Sequence, residues 1–417
     1  MIKAIKGTKD ILPENIGKWN FLESVVKKIS LEFHYGEIRT PIFEETGLFS
    51  RGIGESSDIV SKEMYTFVDR SGTSITLKPE MTASVVRAYI EHSFDKQQSF
   101  KKYFYISPMF RQERPQAGRL RQFHQFGVEA LGSNNFTLDA EVILMAYLIL
   151  KEMGLNNLSV KINSLGVPES RENYKKILRS FLSDKFDGLS DDSKRRYDTN
   201  ILRIFDSKDE RDIQIMENAP HLIEYLDDDS LEHFENVKQI LLKAGVPIEV
   251  DPILVRGLDY YTNTTFEITS GSVGTQTALC GGGRYNLLVK QLGGKDIPGV
   301  GFAAGMERIL LACENENVLN LPGSTIDLYV VSINKNFGKE IFEIVCLLRG
   351  KGLSVEMDYQ NRSVKAQMRE ANRLKASKVL MIGGDEYERG TAILKSMEDG
   401  EQKEISLSKL DKIIREG

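Results

Sequence analysis

Cysteine is scarce. Three residues in 417, Cys280, Cys313 and Cys346, lie far apart with no C-x-x-C spacing, which excludes a disulfide framework and gives no thiolate zinc motif. Five histidines show no H-E-x-x-H or other close pairing, so a histidine-built metal centre is not indicated. Long hydrophobic runs are absent too. The longest, 142–150, falls well short of the roughly 18 residues that a membrane span needs, and the N-terminal MIKAIKGTKDILPEN lacks an apolar stretch of signal-peptide length. Neither sign of charge dominates: 55 Lys and Arg face 60 Asp and Glu, a formal net charge of -5, so any nucleic-acid surface must be a local patch. No Gly-Lys pair continues into Ser or Thr, and the phosphate loop of that type is therefore missing. These absences predict a soluble, cytoplasmic chain with neither a membrane nor DNA as partner. At about 100 to 200 residues per domain, it should hold two or three domains.

What is present has clear periodicity. From Lys18 to Phe33 the residues Trp19, Leu22, Val25, Val26, Ile29 and Phe33 recur at helical spacing, and an extended segment follows around Pro41. KYFYISPMFR and LRQFHQFGVEA flank the loop-rich ERPQAGR, which predicts a long antiparallel hairpin. Residues 168–245 are charge-dense with helical spacing and read as a helical insertion into a first domain of 1–167 and 246–318. From 326 to 417 strand and helix alternate, which specifies a small α/β domain with a largely parallel sheet.

Alternation along the second hairpin strand puts Phe126, Val128 and Ala130 on one face and Phe123, Gln125, Gly127 and Glu129 on the other. The second set suits a ligand floor, with Gly127 leaving space, or else a solvated sheet face. LVRGLDYYTNTTFE sets Arg256, Asp259, Tyr260 and Tyr261 around Gly257, as a site or as a turn with a surface ion pair. ALCGGGRY allows a close backbone approach or marks a flexible turn. GVGFAAGMER spaces its glycines one residue too far apart for a dinucleotide fingerprint.

In their order, these segments resemble the three signature motifs of class II aminoacyl-tRNA synthetases, and in detail those of the bacterial histidyl-tRNA synthetase family. PIFEE with its preceding helix resembles motif 1, MFRQER through RQFHQFGVEA motif 2, and GFAAGMERILL motif 3. TLKPEMTA, LVRGLDYYTNTTFE and CGGGRY resemble the segments particular to the histidine enzymes, although Met81 and Asn286 replace the commoner glycine and aspartate. The resemblance implies an α+β catalytic domain, an antiparallel sheet flanked by helices with a helical insertion, and a C-terminal α/β anticodon-binding domain. It implies activation of L-histidine by ATP, with Mg2+ on the phosphates and no assigned protein ligand for the metal, then transfer to the histidine tRNA. Arg111 and Arg256 would act on the α-phosphate and Arg119 on the outer phosphates. Glu113 would read the adenine amino group between Phe123 and Arg308. Glu80, Thr82 and Gln125 would hold the α-ammonium, and Glu129 and Tyr261, beside Tyr260, the imidazole. Motif 1 would form a homodimer interface. The alternative is a non-catalytic, histidine-sensing regulatory subunit of ATP phosphoribosyltransferase, which typically lacks the C-terminal domain.

In that last domain Arg362, Lys365, Arg369 and Arg373 follow at intervals of three or four along one expected helix face. Six basic residues in 362–378 face one acid, Glu370. The run reads as a tRNA contact or as a solvated face.

Overall fold

Helix α1 (Pro13–Glu32) opens the fold, and a proline in its first turn, where no donor is lost, starts it five residues before the apolar repeat. The computed structural model describes residues 2–410 other than 55, 56, 58, 98, 99, 256, 257, 259, 275–277, 320, 322–324, 335 and 336. In chain order α1 is followed by β1 (Gly36–Glu37), β2 (Phe43–Glu45), α2 (Thr46–Ile53), β3 (Tyr65–Val68), β4 (Ser74–Leu77), α3 (Thr82–Glu91) and α4 (Phe94–Gln97). Then come β5 (Lys101–Phe110), β6 (Gln122–Leu131), α5 (Phe136–Glu152), β7 (Leu158–Ser164), α6 (Pro168–Ser183), α7 (Asp191–Thr199), α8 (Glu210–Met216) and α9 (Asp228–Lys243). The first unit ends with β8 (Ile248–Val250), β9 (Thr262–Ser270), β10 (Ala278–Arg284), α10 (Leu288–Gln291), β11 (Gly299–Gly305) and α11 (Met306–Asn315). The chain divides into two compact units, 1–320 and 321–417.

Among the described residues the first unit carries an eight-stranded sheet in the order β1-β5-β6-β11-β10-β9-β7-β8. It is antiparallel except at its two outer pairs. The expected hairpin is β5 and β6, in register from Lys101 opposite Leu131 to Phe110 opposite Gln122. One sheet face buries Phe104, Phe126, Val128 and Ala130 against Trp19, Leu22 and Val26 of α1, Val142 and Ile149 of α5, and Ile309 of α11. The other face is left for the cleft described below.

The helical stretch after β7 contributes to two cores. Tyr174, Leu178 and Leu182 of α6 share a second core with Val86 and Tyr89 of α3 and with Tyr260, Tyr261 and Tyr285. Helix α9 instead places Phe234, Val237 and Leu241 in the main core with α5, because its apolar stripe meets the back of the sheet. Buried Asp212 ties the smaller helices together by accepting from Ser190 N–H at 2.8 Å and from the hydroxyls of Ser190, Ser193 and Ser207, each at 2.6 Å.

The second unit contains β12 (Ile326–Ser332), α12 (Gly338–Gly350), β13 (Val355–Met357), α13 (Val364–Arg373), β14 (Ala376–Ile382), β15 (Thr391–Ser396) and β16 (Gln402–Ser406). Its sheet order is β13-β12-β14-β15-β16. The β13-β12-β14 half is parallel as expected, but β14, β15 and β16 are antiparallel. The sheet is therefore mixed. No helix among the described residues is long and apolar enough to cross a membrane.

Candidate active site

The cleft lies on the sheet face away from α1. Its floor is made possible by glycine, although not as expected at Gly127. A methyl there would overlap the Tyr105 hydroxyl and the Phe302 carbonyl, so the space is filled by Tyr105, directly across the hairpin. At Gly301 a methyl would overlap the Glu129 carboxylate. Tyr105 and Glu129 are thus seated against backbone and fully buried.

At one end, the segment between β4 and α3 supplies Glu80 and Thr82. Glu80 accepts from Thr82 N–H at 2.7 Å and Ala83 N–H at 2.9 Å, which pins its carboxylate to the start of α3. Burial still raises its pKa, against the pull of those amides and of Arg111. Thr82 Oγ1 donates to Glu129 at 2.7 Å, and Tyr285 Oη donates to the other oxygen of the same carboxylate. Burial drives Glu129 up to about 8, because two hydroxyl donors only partly replace lost hydration. The Tyr260 and Tyr261 rings lie 4.7 Å apart, tilted at 50°, and Tyr285 meets Tyr260 edge-on at 5.8 Å.

Glu80, Thr82, Gln125, Tyr260 and Tyr261 line the cleft, while Glu129 lies buried behind Thr82. The phenol that donates to Glu129 is that of Tyr285. Sequence reasoning misses Tyr285, although its segment, CGGGRY, is among those it singles out.

At the other end the loop joining β5 to β6 meets α11. Arg111 Nε donates to the Pro79 carbonyl at 2.9 Å, and its guanidinium lies over the Phe123 ring, 5.2 Å from the centroid. Glu113 is flanked by Arg111 at 3.7 Å and Arg119 at 3.4 Å. Arg308 donates to the Gly118 carbonyl at 3.1 Å and the Ala278 carbonyl at 2.9 Å. Burial and the neighbouring Arg119 and Arg111 lower its pKa, a sign that like charges crowd this end.

Three guanidinium groups, of Arg111, Arg119 and Arg308, thus share this end with two carboxylates, of Glu113 and Glu307, leaving a positive excess suited to an anion. Three buried polar atoms lining the same cleft, Glu113 Oε2, Arg119 Nε and Gln125 Oε1, have no hydrogen-bond partner among the described residues. Buried polar groups are rarely left so without a ligand to meet them. Sequence reasoning also missed Glu307, whose carboxylate accepts from His124 N–H at 3.0 Å and faces His124 Nδ1 at 2.9 Å. This clamp joins the start of β6 to the start of α11, beside Phe123 and Arg308. Arg256, with Gly257 and Asp259, lies outside the described residues.

The four basic residues of the second unit are not equivalent. Arg362 precedes α13, whose N-cap is Ser363, and is bound by Asp358 and lies 3.6 Å from Glu370. Arg373 pairs with Glu370 at 2.5 Å. Lys365 and Arg369 are exposed and have no ion-pair partner among the described residues.

The histidyl-tRNA synthetase family model matches residues 7–309, and the anticodon-binding-domain model matches residues 327–417. The histidine–tRNA ligase of Halothermothrix orenii is 50% identical over 409 residues, 98% of each chain. That of Caldanaerobacter subterraneus subsp. tengcongensis is 47% identical over 415 residues, covering 100% of both. The crystal structure of apo histidyl-tRNA synthetase from S. aureus superposes with a TM-score of 0.84 at 38% identity over 100% of both chains. A Bacillus halodurans structure described as an ATP phosphoribosyltransferase regulatory subunit/histidyl-tRNA synthetase gives a TM-score of 0.66 at 21% identity, over 92% of this chain and 99% of that one. That likeness extends to the fold alone.

Proposed function

The chain belongs to the histidyl-tRNA synthetase family, and from that membership we propose how its cleft joins histidine to tRNA. The reaction is the ATP-dependent activation of L-histidine to histidyl-adenylate with release of diphosphate, followed by transfer to the 3′ end of the histidine tRNA. The full-length ligase relatives, which span both units, favour this over the histidine-sensing alternative.

The supporting observation is the division of one cleft into an arginine-rich end and a carboxylate-and-tyrosine end, each with a buried polar atom that awaits a partner. The substrate carboxylate attacks the α-phosphorus in line, so no protein nucleophile is required and the side chains position and neutralise charge. Arg111, and Arg256 from its own loop, act on the α-phosphate. Arg119 takes the outer phosphates with its free Nε. Glu113 accepts from the adenine amino group, and the base lies between Phe123 and Arg308. At the far end Gln125 Oε1 and the carboxylate of Glu80, with Thr82, hold the α-ammonium. Tyr261, beside Tyr260, meets one imidazole nitrogen. Glu129 meets the other, since each of its oxygens keeps a lone pair beyond those used by Thr82 and Tyr285.

Mg2+ supplies neutralisation of phosphate charge when bound. Among the described residues no three His, Cys, Asp or Glu side chains converge as a cage, so phosphate oxygens and water would provide most of its ligands. Lys365 and Arg369, with Arg362 and Arg373 as a bound flank, face the tRNA backbone. The protein acts in the cytoplasm as a homodimer, for which the exposed Ile42 and Phe43 of the motif 1 segment and Phe67 and Val68 of β3 offer apolar surface. Exchange of labelled pyrophosphate into ATP, with each amino acid supplied in turn, tests the reading. Exchange that depends on histidine alone supports it, and exchange with another amino acid or with none overturns it.

A further inference from the structure

The segment before α1 lies far in sequence from every motif above, yet it docks at the ATP end of the cleft. The Gly7 carbonyl accepts from Arg121 N–H at 2.7 Å and Gln122 N–H at 3.4 Å, while Arg111 N–H reaches the Arg121 carbonyl from the opposite side at 2.9 Å. Arg121 is therefore held between the hairpin and the N-terminal segment. Thr8 closes the local turn, donating from its N–H and its hydroxyl to the Ile5 carbonyl at 2.9 and 2.8 Å. Among the described residues, the two bonds at Gly7 are the only hydrogen bonds that residues 2–10 make to the rest of the fold. Ile2 and Ile5 are exposed, and the one apolar anchor of the segment is Ile11, packed partly buried against the main core just before α1.

Gly7 is also a position that a side chain would spoil. Its φ is +93°, and a methyl there would lie 2.8 Å from Arg121 Cγ and 2.9 Å from Pro115 Cγ. Both are strained for an L-residue. The loop that Gly7 touches borders two cavities. Gly118 and Leu120, which line the cleft, also line a second cavity of about 340 Å3 bounded by Trp19, His124 and Leu310 and by Lys9, Asp10 and Ile11 of the N-terminal segment. The loop is held at two places, by the Arg308 donation to the Gly118 carbonyl and by Gly7 at its base.

We propose that Gly7 is a positioning residue for ATP: the N-terminal segment is a strap that fixes the base of the β5–β6 loop, and so sets where Glu113 and Arg119 stand. The proposal rests on the reading of the arginine-rich end as the ATP site. Affinity then scales with the fraction of molecules whose strap is docked.

In histidine-dependent pyrophosphate exchange, Gly7→Ala should raise KM for ATP about five- to thirtyfold, the scale of one left-handed alanine. KM for histidine and the thermal midpoint should stay near wild type. Adding Arg121→Ala removes the Cγ and Cδ that the new methyl would strike, so the double variant should recover part of the loss relative to Arg121→Ala alone. An unchanged KM for ATP in Gly7→Ala overturns the proposal. So does a parallel rise of both KM values with a fallen midpoint, which would make Gly7 merely structural. Wild-type protein without histidine-dependent exchange would instead overturn the ATP reading, and this proposal with it.

Discussion

Replacing Glu129 with glutamine should stabilise the protein at alkaline pH while weakening its hold on histidine. Burial raises the Glu129 carboxyl from its ordinary 4.5 to about 8, against the pull of the Tyr285 and Thr82 hydroxyls. The unfolded chain releases that proton near the ordinary value, so the folded state holds the extra proton between the two pKa values. Stability is then whole below about pH 4.5 and is lost as pH rises through the folded value near 8. At about 1.4 kcal/mol per pH unit the loss reaches at most about 5 kcal/mol. Glutamine keeps the shape, can still accept from Thr82 or Tyr285, and does not titrate. The unfolding midpoint of Glu129→Gln should therefore exceed that of wild type at about pH 9 and converge with it near pH 4.5. Glu80 is buried and raised in the same direction, so the variant's pH dependence should shrink without vanishing.

The same carboxyl sets the histidine term. An imidazole N–H against Glu129 favours the ionised form, so binding at neutral pH releases a proton, and KM for histidine should fall as pH rises toward about 8. Removing that charge should raise KM for histidine about five- to 150-fold, the range of about 1–3 kcal/mol for a lost buried polar partner. It should also flatten the slope. Pyrophosphate exchange at saturating ATP between about pH 6 and 9 measures both, beside chemical denaturation at the same pH values. A variant with wild-type KM, or one that keeps the wild-type slope, would refute the assignment of the titrating group to Glu129.

Asp212 should behave in the opposite sense: four donors from three serines hold it down at about 2, so its stabilisation of about 2 kcal/mol is present above about pH 4 and lost as pH falls through about 2. Asp212→Ala should lower stability at neutral pH by about 2–4 kcal/mol in urea denaturation, because it strands buried donors, and a change below about 0.5 kcal/mol would contradict this. Arg308→Ala leaves the Gly118 and Ala278 carbonyls without their donor, and should raise KM for ATP about tenfold or more with little effect on KM for histidine. The pair Lys365→Glu and Arg369→Glu should weaken tRNA binding and flatten its salt dependence while leaving pyrophosphate exchange intact; filter binding across a salt series would sink the idea if the slope stayed at the wild-type value.

Much of the fold was legible because period-two alternation is strong in β5 and β6, and it sorted core from cleft correctly at Phe126, Val128 and Ala130. The finer reading of Gly127 failed for a physical reason. A glycine announces a missing side chain, but the group that fills the gap is fixed by register, and here it is the cross-strand Tyr105. Tyr285 bonds a carboxylate 156 residues away, a distance over which periodicity carries no information. The β15–β16 hairpin, by contrast, does leave a signal in the sequence: Asp399-Gly400 between two alternating segments is a strong turn marker.

The basic run of the second unit shows where counting charges stops being enough. Spacing at three and four residues puts cations on one face of α13, yet it is silent about what else reaches that face. Glu370 sits among them, three residues before Arg373, and takes its guanidinium. Asp358, outside the run and before the helix begins, takes that of Arg362. A cation already held by a carboxylate brings less net attraction to a phosphate, because the carboxylate's repulsion is added to the same site. Among the four cations of that face, Lys365 and Arg369 therefore dominate the field that an RNA would meet. If backbone contact is made here, reversing Lys365 and Arg369 should remove more of the salt slope than reversing Arg362 and Arg373, whereas six independent cations would make the two pairs equal.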